Sequence, residues 1–133
     1  FTPAQANATL PLVRRIVSDI LQRGRELRHL TEGPMAATAH ARVGALQAEL
    51  AGLFEELEQI GCSYKDWGFD LGLVDFPAEI DGRAVLLCWR SDEPRVEWYH
   101  SPEAGFAGRR PIPTPLLADV PRPEGSGETS PPG

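Results

Sequence analysis

The 133 residues suffice for one domain and leave no room for a second core of ordinary size. The formal net charge of -6 opposes binding to nucleic-acid phosphates, and no apolar run reaches the ~18 residues of a membrane span, so we expect neither partner. Two cysteines are too few for a disulfide framework and no signal-peptide pattern is present, so we expect a reducing cytoplasm.

A helix start opens the chain. Thr2 can cap the helix, Pro3 suits the first helical position, and Gln5 completes a capping box with Thr2. Apolar residues then recur at steps of three and four, which places them on one face of a helix that ends near Leu30. Pro11 lies inside this helix, and we expect it to loosen the preceding turn because proline has no amide hydrogen to donate.

A second helix is predicted from about Pro34 to Ile60, after a break at 31–34 that returns the chain antiparallel. Its apolar positions alternate steps of four and three, the heptad pattern of a coiled coil. This seam consists of Ala39, Val43, Leu46, Leu50, Leu53, Leu57 and Ile60. A stripe of small residues lies away from the seam and would let another backbone approach closely: Ala41, Ala45, Ala48 and Gly52.

The residues after the helices predict a small antiparallel sheet. Runs of β-branched and aromatic residues between turn signals indicate strands at 72–76, 84–90 and 96–101. The predicted fold class is α+β, with a long antiparallel two-helix hairpin over 1–60 packed against a β-rich block over 61–110. Together these form a single domain over 1–110. The stretch 111–133 is rich in proline and poor in apolar residues, so we expect a disordered C-terminal tail.

The register of the last two strands decides which side chains meet. If Arg90 pairs with Arg95 across their loop, Trp98 and His100 share the apolar face of the sheet and Cys88 lies on the other face. A slip of one residue would instead put Cys88 and His100 on the same face. The apolar content favours the first pairing, which argues against a site that contains both residues.

His100 is the strongest candidate for chemistry, because imidazole can ligate a metal or move protons near neutral pH. Together with Asp75 and Cys88 it could hold a divalent metal, the one cofactor that the sequence suggests. Such sites need three or four converging ligands, and none of the standard ligand spacings is present. We favour the other interpretation, in which His100 donates to a backbone carbonyl and Cys88 fills the core.

A small anion is the other ligand to consider. Arg109 follows Gly105 and Gly108, and such a turn can bring backbone amides and a guanidinium group to an anion. The full candidate set for ligand binding is Asp66, Asp75, Trp89, Trp98, His100, Phe106 and Arg109. The interpretation that we favour is structural: Arg109 pairs with Asp66 or Asp75. Asp75 has apolar neighbours that predict burial and therefore a need for such a partner.

Four motifs in the β-rich block stand in a distinctive order: Gly-Leu-Val-Asp-Phe-Pro (72–77), Leu-Cys-Trp-Arg (87–90), Trp-Tyr-His (98–100) and Gly-Phe-Ala-Gly-Arg (105–109). With the opening of the first helix, they make the chain resemble a bacterial family, domain of unknown function 2203, over residues 1–113. The resemblance implies a small bacterial cytoplasmic protein and brings no settled activity. Some relatives are labelled as division-initiation proteins.

Two functions remain in consideration. Helices of ~27 residues span about 40 Å, whereas strands this short span about 20 Å. The helices are therefore longer than the sheet, and part of their apolar surface needs another packing partner. We therefore predict first an interaction protein that self-associates through its helical hairpin, as a homodimer. The alternative is a metal- or small-anion-binding protein with its site in the block 61–110. No nucleophile or acid–base pair can be placed by spacing, so no catalytic residue is assigned.

Overall fold

A computed structural model describes residues 1–32, 39–66, 68–118 and 120. Within these residues the chain forms two helices followed by a five-stranded sheet. The elements are α1 (Pro3–Glu32), α2 (His40–Ile60), β1 (Ser63–Tyr64), β2 (Leu73–Ile80), β3 (Arg83–Arg90), β4 (Trp98–His100) and β5 (Arg110–Pro111). The strands pair antiparallel in the order β1-β2-β3-β4-β5. The predicted α+β class is confirmed.

Helix α1 begins with the predicted capping box. The backbone N–H of Gln5 donates to the hydroxyl of Thr2 at 3.1 Å, and the N–H of Thr2 donates to the side chain of Gln5 at 2.9 Å. Pro11 lies inside the helix without ending it, and the helix continues to Glu32, slightly past the predicted end at Leu30. One face is buried, and it consists of Ala6, Leu10, Val13, Ile16, Val17, Ile20 and Gly24.

Residues of the heptad seam of helix α2 pack inside the monomer. Leu46, Leu50 and Leu57 are the buried residues of this helix. The helix begins at His40, while the predicted start near position 34 lies outside the described residues. Gly61 ends it in a left-handed conformation with φ of 108°, and its N–H donates to the carbonyls at the end of the helix.

Two ion pairs between the helices fix their direction. Arg23 contacts Glu49 at 2.8 Å, and Arg42 contacts Glu26 at 2.8 Å. The later residue of α1 pairs with the earlier residue of α2, so the helices run antiparallel, as predicted. No helix among the described residues is long and apolar enough to cross a membrane.

The core lies between the helices and one face of the sheet. In the register of β2 and β3, Val74 pairs with Trp89 and Phe76 pairs with Leu87, and all four are fully buried. The contact with α1 is close at Gly72, where an added Cβ would overlap the side chain of Val17. Glycine at this position therefore lets β2 begin against the helix.

The structure describes paired and buried residues on both sides of residue 110, the predicted end of the domain. Arg110 pairs with Tyr99 and extends the sheet, and Ile112 is buried. A 3₁₀ turn follows at Thr114–Leu117, and Val120 is also buried. The rest of the predicted tail, at 119 and 121–133, lies outside the described residues.

Candidate metal centre

The register of β3 and β4 decides which side chains meet on the face of the sheet that points away from the helices. His100 pairs with Leu86, and Trp98 pairs with Cys88. The predicted pairing of Arg90 with Arg95 is therefore wrong by one residue. Since side chains alternate along a strand, this slip puts Cys88 on the same face as His100.

The apolar content of the strands does not predict their register correctly, because both faces of this sheet are covered. The helices cover one face, and the segment 101–109 contributes Pro102, Gly105 and Phe106 to the cover of the other. Trp98 is therefore half-buried on the second face, where the guanidinium of Arg109 lies over its ring and over the ring of Phe106. A sheet buried on both sides offers no simple contrast between an apolar and a polar face.

Three side chains that can ligate a metal converge on this second face. Asp75 of β2 lies opposite Cys88 of β3, and His100 of β4 lies on the next strand, diagonal to Cys88. One ligand atom from each residue lies within 4.8 Å of the other two. All three residues are buried, with exposed fractions of 5% for Asp75, 1% for Cys88 and 3% for His100. Such deep burial requires a partner for each polar group.

Both ring nitrogens of His100 face acceptor oxygens. Nδ1 lies 2.8 Å from the carbonyl oxygen of Ser101, and Nε2 lies 3.2 Å from Oδ1 of Asp75. A neutral imidazole has one N–H group and can serve only one of these acceptors. Both contacts are satisfied when the ring is doubly protonated, when the Asp75 carboxyl carries a proton and donates it to Nε2, or when a cation lies between Nε2 and the carboxylate. In the last two cases Nδ1–H donates to the carbonyl of Ser101.

The distance between His100 and Asp75 fits a shared metal ion. Two ligand atoms that are each about 2.0–2.1 Å from a tetrahedral zinc ion lie roughly 3.3–3.4 Å apart. The observed 3.2 Å is close to that separation and is also within the range of about 2.7–3.2 Å for an N–H···O hydrogen bond, so the distance is compatible with both. A metal-bound histidine usually donates its other N–H to a carbonyl or a carboxylate, as Nδ1 can do here with Ser101.

The thiol of Cys88 is poised to exchange its proton for a metal. Burial raises its pKa to about 12, and the negative charge of Asp75 adds to the effect. The metal-free thiol is therefore protonated at neutral pH and unreactive. A bound cation would replace this proton, since coordinating thiols are deprotonated.

The three residues line a pocket of about 290 Å³. The rest of its lining comes from Lys65, Leu73, Leu86, Pro102, Gly105 and Phe106. Three protein ligands leave one position of a tetrahedral ion unfilled, and the adjacent pocket can supply a water or a small ligand to it. Such an open position is typical of catalytic zinc sites, whereas structural sites have four protein ligands.

The predicted pairing of Asp75 with Arg109 is wrong. The guanidinium of Arg109 contacts Glu93 at 2.7 Å, and its central carbon lies 4.7 Å from the ring centres of Trp98 and Phe106. His100 takes the place beside Asp75 because the register brings β4 there. Arg109 therefore packs the 101–109 segment onto the sheet.

The other predicted residues divide between the site and the scaffold. Phe106 lines the pocket, whereas the carboxylate of Asp66 accepts hydrogen bonds from backbone N–H groups of its own loop at 3.0–3.1 Å. Trp89 faces the helices on the opposite side of the sheet and donates its ring N–H to the carbonyl of Glu93 at 2.9 Å. Asp66 and Trp89 thus lie apart from the cluster.

Sequence reasoning did not find Lys65, which lines the pocket and is exposed. The pairing of the strands could have identified it. Ser63 pairs with Asp75, and Lys65, two residues further on, therefore lies on the same face of the sheet as Asp75. The two-residue strand β1 is too short to be recognised from its sequence, and this signal becomes readable only once its pairing is known.

The model of one protein family, described as "Uncharacterized conserved protein (DUF2203)", matches residues 1–112. This range contains both helices, all five strands and every residue of the candidate metal centre. No curated protein and no solved structure matches the chain. Because the match covers most of the sequence, the chain belongs to the family of uncharacterised conserved proteins DUF2203.

Proposed function

We propose that the protein binds a divalent transition-metal ion through Asp75, Cys88 and His100, with zinc as the best fit. The observation that carries this proposal is the orientation of His100, whose Nε2 faces a buried carboxylate beside a thiol while Nδ1 is held by a backbone carbonyl. A mixture of nitrogen, sulfur and oxygen ligands suits zinc. Magnesium and calcium prefer oxygen ligands alone.

The charges of the site support the same cation. The carboxylate of Asp75 and the thiolate form of Cys88 would together neutralise a doubly charged ion, leaving no net charge in the buried cluster. The position facing the pocket would then hold water or a small ligand, which a metal can polarise as a Lewis acid. The proposal is thus a metal centre with an open position.

Cobalt substitution tests the proposal directly. The protein is stripped with a chelator and titrated with Co²⁺, which gives a thiolate-to-cobalt charge-transfer band when sulfur is a ligand. We expect this band in the unmodified protein and its loss in Cys88→Ser. Cys62→Ser is the matched control, because Cys62 is also a buried free thiol but lies outside the cluster and donates to the carbonyl of Leu57.

Two results would contradict the metal centre. One is an unmodified protein that gains no charge-transfer band and is not stabilised by zinc. The other is an equal loss of the band in Cys62→Ser and Cys88→Ser. In the competing arrangement His100 is doubly protonated beside Asp75, and nitrogen NMR of the imidazole would then show two N–H groups even with zinc in excess.

We also propose self-association as a homodimer in a reducing cytoplasm, through the exposed small-residue stripe of α2. Three leucines of the heptad seam (Leu46, Leu50 and Leu57) are buried inside the monomer and are not free for a partner, and its other members are half-buried. The stripe is exposed, and a Cβ at Gly52 would meet nothing within 4 Å, so another backbone could approach there. Its members are Ala41, Ala45, Ala48 and Gly52.

Light scattering at micromolar concentration tests this second proposal. A dimer is expected, and Ala48→Arg should weaken it because the long side chain would hold the second backbone away. Gln47→Arg is the control, since Gln47 is also exposed on α2 and lies outside the stripe. A monomer at all concentrations, or equal effects of both variants, would refute the dimer.

A further inference from the structure

A second pocket, of about 510 Å³, lies next to the metal centre, and His100 contributes to the lining of both. Its origin is the short length of β4. That strand ends at His100 opposite Leu86, so the first three residues of β3 have no strand beside them on that side within the described sheet. The volume falls in the range of roughly 300–1,000 Å³ that small-molecule pockets occupy.

Two arginines in the lining of this pocket have no side-chain partner in the part of the chain that the structure describes. Arg83 and Arg110 are both exposed, and neither side chain forms an ion pair or a hydrogen bond within the described residues. Three other arginines near the sheet are paired: Arg90 with Asp92, Arg95 with Glu97 and Arg109 with Glu93. These two guanidinium groups therefore give the pocket a positive lining on a chain of net charge -6.

Both arginines belong to strands, so their backbones are held by the sheet. Arg83 opens β3 and pairs with Ile80 across a tight turn, in which Asp81 has φ of 52° and Gly82 has φ of 77°. Arg110 belongs to β5 and pairs with Tyr99. Asp81 also lines the pocket, so one carboxylate opposes two guanidinium groups and the lining keeps an excess of positive charge.

We infer that this pocket binds a phosphate-bearing small molecule. The planar forks of Arg83 and Arg110 match the oxygens of a phosphate group, and two positive charges match its dianion. The hydroxyls of Tyr99 and Ser101, which also line the pocket, can donate further hydrogen bonds. The pocket has room beyond a single phosphate group, and apolar residues such as Val85 would contact the organic part of the ligand.

Titration calorimetry with phenyl phosphate tests the inference, because this probe combines a phosphate with a small apolar group. We expect it to bind more tightly than inorganic phosphate and benzoate, while phenol does not bind. Arg83→Gln and Arg110→Gln should each weaken binding about tenfold or more, as expected for a lost charge-assisted hydrogen bond. Arg15→Gln is the matched control: Arg15 is exposed on α1, outside the pocket, and its replacement changes the net charge equally.

The outcomes separate this pocket from the metal centre. Cys88→Ser should retain phenyl phosphate binding, because the arginine pocket does not include that residue. Binding that disappears in Cys88→Ser would put the anion on the metal and overturn the inference. It would equally be overturned by an unmodified protein that does not bind the probe, by benzoate binding as tightly, or by Arg15→Gln weakening binding as much as the pocket variants.

Discussion

The two faces of the sheet use alternate residues of the same strands in different ways. Along β3, Leu87 and Trp89 pack against the helices, and Leu86 and Cys88 line the pocket on the other side. The helix side is an apolar core, whereas the pocket side buries a carboxylate and an imidazole. Buried polar groups cost stability unless they are paired, so the apolar helix side is expected to stabilise the fold more, and the candidate metal ligands lie on the pocket side.

The largest effect is expected from the helix side. Trp89→Ala should destabilise the protein by about 3–5 kcal/mol, because it removes a fully buried aromatic side chain and leaves a cavity. Chemical denaturation measures this loss. Trp98→Ala is the comparison, since Trp98 is only half-buried on the pocket side and should cost less. Equal losses would mean that the two faces contribute alike to stability.

The buried pair on the pocket side comes next. Asp75→Ala or His100→Ala should each cost on the order of 3 kcal/mol in the metal-free protein, because each leaves a buried polar partner unpaired. The double variant should cost less than the sum of the two, since the contact is lost only once. Strict additivity in denaturant titrations would show that the two side chains do not interact.

Zinc sharpens the same comparison. At a concentration a hundred times its dissociation constant, it should stabilise the unmodified protein by about 2.7 kcal/mol. That gain should vanish in the Asp75 and His100 variants and persist in Trp98→Ala, whose side chain is not a ligand. Thermal melts with and without zinc provide the measurement, and a gain that survives in His100→Ala would move the site elsewhere.

A smaller loss of stability is expected from Arg109, which packs the segment 101–109 onto the pocket side of the sheet. Arg109→Gln should cost about 2 kcal/mol, because it removes a largely buried charge-assisted contact with Glu93 and the stacking on Trp98 and Phe106. Hydrogen exchange should then rise in the segment 101–109 and remain unchanged in α1. Faster exchange throughout the chain would mean that Arg109 supports the whole fold.

The smallest effect, counted per pH unit, concerns the pH dependence of zinc binding. The pKa of the Cys88 thiol is about 12, so zinc binding below that pH must displace a proton, and affinity should rise as pH rises. One displaced proton corresponds to about tenfold, or roughly 1.4 kcal/mol, per pH unit. Competition with a chelator from roughly pH 6.5 to 8.5 measures the slope. Cys88→Ser should flatten it, and an unchanged slope would exclude Cys88 as the source of the proton.

Local patterns alone predicted much of the fold. The capping box at Thr2 and Gln5, the leucine seam of α2 and its end at Gly61 all appear as expected, because they depend on residues within a few positions of one another. The sequence also offered His100, Asp75 and Cys88 as candidate metal ligands, although it favoured a structural role for His100 and Cys88. Their residue types identified them as candidates, since imidazole nitrogen, thiolate sulfur and carboxylate oxygen are the usual protein ligands of zinc.

The tertiary structure decided how those residues meet. A shift of one residue between β3 and β4 moved Cys88 to the face of His100, and the same shift gave Asp75 the imidazole as its partner in place of Arg109. The register could not be read from apolar content, because the segment 101–109 covers the face that an open sheet would leave to solvent. Contacts between residues far apart in sequence depend on this packing, and the sequence by itself determined the ligand types but not their convergence.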